Sequence, residues 1–106
     1  MSDTGTWKIG YKDERDKKGI EKEYKSDTRL EKKWKDFERD VTRNPFYHPK
    51  PKRIEKLRDT PYPDGSWRYK KDPIRVVYYP EGSTKIVYPL AVSSATDIPY
   101  KKRSFK

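Results

Sequence analysis

The sequence predicts an α+β fold in which N-terminal helices pack on a small curled sheet, and three observations lead there. One segment, Thr28 to Arg43, repeats its apolar residues with the period of a helix, placing Leu30, Trp34, Phe37 and Val41 on one stripe. Between Trp67 and Leu90, three short runs instead alternate residue by residue, as strands do, and turn-forming residues separate them. The chain has 106 residues, no cysteine, 30% hydrophobic and 42% charged side chains, which allows one domain with a thin core. Aromatics, at 14%, must supply much of the buried area, so that core is expected to be rich in tyrosine.

From the N-terminus, Trp7, Ile9 and Tyr11 alternate with Lys8, Gly10 and Lys12, the pattern of a strand that joins the later sheet. Charges of both signs crowd Asp13 to Lys25, Gly19 interrupts helix propensity, and only Ile20 and Tyr24 share a helical face. A loose helix or disorder is expected there. Residues 1–26 therefore read as a charged extension and 27–106 as the folded domain. Thr28 and Glu31 have the spacing of a capping box, and Asn44-Pro45 ends the helix they open. Glu31 and Lys35 form an i,i+4 pair on its solvated face. After the turn-rich Phe46-Tyr47-His48-Pro49, Pro51 is placed to open a second short helix containing Ile54 and Leu57, closed by Thr60-Pro61.

The sheet follows. Trp67-Arg68-Tyr69-Lys70 puts two aromatics on one face and two cations on the other, and Asp72-Pro73 turns into Ile74 to Tyr79. Pro80-Glu81-Gly82-Ser83 reverses the chain into Thr84 to Leu90, with Ile86, Tyr88 and Leu90 on one side and Lys85 and Val87 on the other. Trp67, Tyr69, Ile74, Val76, Ile86 and Leu90 are the expected core. Arg68, Lys70 and Arg75 are expected to face solvent as a surface suited to polyphosphate. The alternative for Arg75 is to anchor a carboxylate within the fold.

Net charge is +10, from 27 basic and 17 acidic side chains, which favours an anionic partner, most commonly nucleic acid. Both halves are basic, but residues 61–106 hold 9 basic and 4 acidic residues against 18 and 13 in residues 1–60. Lys50, Lys52, Arg53, Lys56 and Arg58 surround Glu55, so one side of the expected short helix would be positive. That side either follows a phosphate backbone or is a solvated face behind Ile54 and Leu57. No window approaches the roughly 18 apolar residues of a membrane span, and the N-terminus lacks the apolar core of a secretory signal. A cytoplasmic protein without membrane contact is expected.

Most enzyme chemistries lack their parts. There is no cysteine nucleophile, the five glycines are scattered, and His48 is the sole histidine, in a loop without carboxylates at ligand spacing. No metal and no cofactor is expected. Lysine, arginine and tyrosine remain, and RNA cleavage through the ribose 2′-hydroxyl, where the substrate carries its own nucleophile, is one reaction that can use them. The protein must align that hydroxyl, neutralise charge on the phosphoryl oxygens and move a proton. Arginine grips phosphate bidentately, and tyrosine can stack on a base.

The order of residues from Trp34 to Lys102 resembles the RelE/ParE superfamily of bacterial type II toxins. Trp34-Lys35-Asp36-Phe37-Glu38-Arg39-Asp40-Val41 with Asn44-Pro45, and Ile54-Glu55-Lys56-Leu57, stand where that family has its helix and its Ile-x-x-Leu. Trp67-Arg68-Tyr69-Lys70, Ile74-Arg75-Val76-Val77-Tyr78 and Tyr100-Lys101 are similar to its two cationic strands and its terminal Tyr-Lys. The resemblance implies helices on a curled, mostly antiparallel sheet. It also implies metal-free cleavage of messenger RNA on the ribosome, and an acidic antitoxin as partner. On this resemblance Arg68 and Arg75 stabilise phosphate, and Tyr100 stacks on the base or assists proton transfer. Lys70 is a candidate for the same cationic groove, and the charge pattern of residues 50–58 adds Lys52, Arg53 and Lys56 as candidate phosphate-binding residues. The chain departs from the family after the last strand, where an expected arginine is replaced by Ala91-Val92-Ser93-Ser94-Ala95-Thr96-Asp97. Lys101, Lys102 or Arg103 would have to reach the phosphate instead. The departure leaves a second reading, a basic module that occupies RNA, the ribosome or, as in the ParE branch, DNA gyrase without cutting.

Overall fold

The computed structural model describes residues 7–58 and 60–94. Tyr100, Lys101, Lys102 and Arg103 lie outside the described residues. The elements run β1 (Lys8–Ile9), α1 (Glu14–Lys25), α2 (Thr28–Arg43), β2 (Ile54–Lys56), β3 (Trp67–Lys71), β4 (Ile74–Glu81) and β5 (Ile86–Ser94). They make an α+β fold, two helices on one open sheet of order β1-β5-β4-β3-β2. All pairings are antiparallel except that of β1 with β5.

The apolar stripe of α2 organises the core. Leu30, Trp34, Phe37 and Val41 are all buried, and Phe37 meets the rings of Tyr69 on β3 at 5.3 Å and Tyr78 on β4 at 5.6 Å. Two buried hydroxyls need partners and have them. Tyr69 donates to Asp40 Oδ2 at 2.7 Å and Tyr78 to the carbonyl of Pro45 at 2.6 Å. Burial pushes both phenols above their usual pKa, so they stay protonated donors. At the rim Lys71 donates to Asp36 at 2.9 Å, a hydrogen bond that holds this carboxyl below its ordinary range.

Several sequence expectations change. Residues 13–25, expected as a loose helix or disorder, form α1, because Tyr24 stacks on Trp34 at 4.2 Å and Ile20 joins the same core. Asp13 caps α1 by accepting from the Asp16 amide. The expected extension thus contributes β1 and α1 to the one core. Just after β1 the backbone comes so close to β5 that a Cβ on Gly10 would lie 2.6 Å from Ile86 Cγ2, a contact that a larger residue could make only if its surroundings shifted. The α2 cap is Asp27, which accepts from the Arg29 amide, and Thr28 is the first helical residue instead of the cap.

The short helix expected after Pro51 does not form. Lys52 has a left-handed backbone (φ 64°), which cannot continue a helix, and Ile54–Lys56 pairs with β3 as an edge strand. On β5 the buried residues are Val87, Pro89 and Val92, so Ile86 and Leu90 are not the core expected of them. The pairing of β4 with β5 shifts between Val77 and Tyr78, and Leu90 is the residue left without a partner. This bulge resets the alternation of the strand. No helix among the described residues is long and apolar enough to cross a membrane.

Phe37→Ala is expected to lower unfolding free energy by about 3–5 kcal/mol in urea denaturation, since the ring is fully buried between α2 and the sheet. Asp27→Ala should lower the melting temperature more than Thr28→Ala; the reverse order would return the cap to Thr28.

Candidate nucleic-acid interface

Once Tyr69, Ile74, Val76 and Tyr78 face the helices, strand alternation sends their neighbours to the other side of the sheet. Lys70 pairs directly with Arg75, and Arg68 with Val77. All three predicted cations of β3 and β4 therefore share the outer face. Glu55 of β2 lies opposite Arg68, and Ser93 of β5 opposite Arg75. A like-charged pair directly across two strands is destabilising by roughly 0.2–1 kcal/mol, and hydrophobic packing offers no reason for it.

The guanidinium groups are not open to solvent as expected. Arg68 and Arg75 have side chains only 12% and 10% exposed, and each holds a carboxylate. Arg68 is ion-paired with Glu55 and also donates to the Lys52 carbonyl at 3.4 Å. Arg75 meets Asp72 Oδ1 at 2.9 Å and donates to the Ile74 carbonyl at 3.0 Å. The alternative weighed for Arg75, that of a carboxylate anchor, is thus part of its geometry. Both carboxylates are themselves open, Glu55 being 46% and Asp72 79% exposed, so each pair is exchangeable at its outer end. The hydroxyl of Ser93 is buried without a hydrogen-bond partner among the described residues, on the same face as Arg75.

The other predicted cations divide. Lys52 stands beside Arg68 through its carbonyl, and the Arg53 carbonyl accepts from the Lys70 amide at 2.8 Å. Lys56 pairs with Trp67 and so takes the opposite sheet face, away from Arg68. The expected positive helix side is absent, and its residues are spread over a loop and an edge strand.

His48 is nearer a carboxylate than its spacing suggested. Its Nε2 lies 3.4 Å from Asp40 Oδ2, and its Nδ1 accepts from the Lys50 amide at 3.0 Å. Burial lowers the imidazole pKa, and Asp40 opposes that shift. Asp40 also holds Arg39 at 3.2 Å and Tyr69, so this cluster joins α2 to the following loop and to β3 on the helical side. Among the described residues no three His, Cys, Asp or Glu side chains converge as a metal site needs.

Sequence reasoning missed two residues of the outer face. Tyr79 and Tyr88 are register partners on β4 and β5, and with Lys12, Pro63, Asp64 and Leu90 they line a cleft of about 420 Å³. Tyr79 shares the alternation phase of Arg75 and could have been read as outward, whereas Tyr88 was grouped with Ile86 and Leu90 on the side expected to be core. No family model matches the chain, and no curated protein matches it.

Asp72 competes with any incoming anion for Arg75, and its exposure makes the ion pair a weak contributor to stability. Asp72→Ala is expected to cost about 1 kcal/mol or less while strengthening binding to heparin or a short RNA severalfold. Unchanged or weaker polyanion binding by the folded variant would show that Arg75 does not meet the anion.

Proposed function

We propose that this protein is a RelE-type toxin that acts on messenger RNA in the cytoplasm, gripping the phosphate backbone on the outer sheet face and cutting through the ribose 2′-hydroxyl without a metal. The observation that carries the reading is the outward juxtaposition of Lys70 and Arg75, with Arg68 on the same face. A phosphate removes the mutual repulsion of such a group and offers acceptors to both forks. Two helices on a mostly antiparallel sheet are also what the family resemblance implies.

In this reading a phosphate displaces the Asp72 and Glu55 carboxylates, and Arg75 and Arg68 neutralise the charge that gathers on the phosphoryl oxygens. Arginine stays protonated, so the proton must pass through another group, and Tyr100 is assigned that role together with base stacking. Lys101, Lys102 and Arg103 are assigned to the same phosphate-binding role from the sequence alone. An acidic antitoxin would neutralise the toxin by covering this face.

A second reading is favoured by the carboxylates already seated on both guanidinium groups and by the absence of the expected arginine after β5. The protein would then occupy RNA, the ribosome or gyrase without cutting. Inducible expression with and without an adjacent acidic partner separates the readings. Growth arrest with cleaved messages, unaffected by a chelator in a purified assay, is the expected result. Arrest with intact messages supports occupancy, arrest with DNA damage supports gyrase, and no arrest by folded protein overturns the toxin reading.

Arg75→Ala and Lys70→Glu should each abolish arrest. Because Arg75 also holds Asp72 and the Ile74 carbonyl, its variant must be checked for a native melting transition. Undiminished arrest by folded Arg75→Ala would refute its assignment.

A further inference from the structure

The cleft between Tyr79 and Tyr88 lies on the same sheet face as Arg75 but has a different chemistry. Arg75, Val77 and Tyr79 occupy successive outward positions of β4, so the ring lies four steps along the strand from the cation, a span of about 13 Å at the rise of a strand. Tyr88 of β5 lies directly opposite Tyr79 of β4, and Leu90, the residue left over by the bulge, forms the adjoining wall. Pro63 closes the cleft from the preceding loop. That loop approaches Tyr79 through Gly65, whose φ of 93° and whose clearance of 3.0 Å from Tyr79 Cε1 to a Cβ built at Gly65 together demand glycine. The ring of Tyr79 is thus braced by backbone, while Lys12 and Asp64 bring a donor and an acceptor to the lining.

We propose that this cleft is a nucleobase subsite, which takes one unstacked base of a single-stranded RNA whose backbone runs past Lys70 and Arg75. The inference rests on the RNA reading above and adds to it a place and a chemistry for base recognition. Two aromatic side chains, a leucine and a proline ring offer flat apolar walls to the face of a base, and stacking of this kind is tolerant of sequence. Lys12 and Asp64 suit hydrogen bonding to a base edge. The volume of about 420 Å³ falls in the ordinary range of small-molecule sites, roughly 300–1,000 Å³. The separation from Arg75 means that cations and cleft engage successive nucleotides along one strand. A surface that only attracted phosphate would have no use for a braced aromatic cleft beside its cations.

The test compares a fluorescent short oligouridylate, whose bases scarcely stack on one another, with an abasic ribose-phosphate strand of equal length, by anisotropy at fixed salt. Wild-type protein is expected to bind the base-bearing strand about tenfold or more tightly than the abasic one. Tyr88→Ala should remove that preference and leave abasic binding unchanged, whereas Tyr88→Phe, which keeps the ring, should retain it. Equal wild-type affinity for the two strands, or an undiminished preference in Tyr88→Ala, would overturn the base subsite while leaving phosphate binding intact. Failure of wild-type protein to bind either strand would overturn the RNA reading itself, and the subsite with it.

Discussion

The contact on which the structure depends is that of Phe37 with Tyr69 and Tyr78. These three rings join α2 to the two central strands, and the tyrosine hydroxyls are fixed by Asp40 and the Pro45 carbonyl. Strand side chains alternate strictly, so seating Tyr69 and Tyr78 against the helix decides where every neighbour points. A slip of one residue would bury Arg68, Lys70 and Arg75 against Phe37 and leave the tyrosines in water. The core and the cationic face are therefore one decision, made by the alternation Trp67-Arg68-Tyr69-Lys70.

That face carries charges that the fold itself must neutralise. Arg75 and Arg68 keep their stems among apolar neighbours such as Val77, and exposed carboxylates answer their charged ends. Such pairs are weak in water and can be replaced by an anion of greater charge. Asp72 and Glu55 satisfy the charged ends of two largely buried guanidinium groups, and under the proposed function they would give way to phosphate. Beyond them the face changes character, from cations to the tyrosine cleft, within a single strand length.

Elements whose pattern is local were legible in the sequence. α2 matches its expected span from Thr28 to Arg43 because its apolar stripe is specified within the helix. β3 and β4 carry their own alternation and turn residues. Elements that depend on a distant partner were not legible. Ile54 and Leu57 have a spacing that fits a helix, and only pairing with β3 makes their segment a strand. α1 holds through the stacking of Tyr24 on Trp34, which no local propensity reveals. On β5 the inner face goes to Val87 and Pro89 through their pairing with Pro80 and Tyr78, a register set by the partner strand, and the bulged Leu90 then shifts the phase to Val92, a step invisible to a period of two. For the site, the sequence placed Arg68, Lys70 and Arg75 on one face, but it did not foresee Glu55 and Asp72 upon them, since those contacts require the edge strand and the turn. Asp40 beside His48 escaped notice for the same reason: the two meet through the loop after α2.

The central claim is that nucleic acid meets the outer face of the sheet. Amide shift mapping of the isotope-labelled protein during titration with a short single-stranded RNA tests it most directly. Perturbations concentrated at Arg68 to Tyr79 and at Tyr88 to Ser93, saturating together and weakening with added salt, are the predicted result. Perturbations confined to the exposed surfaces of α1 and α2, with the amides of β3 and β4 unmoved, would contradict it.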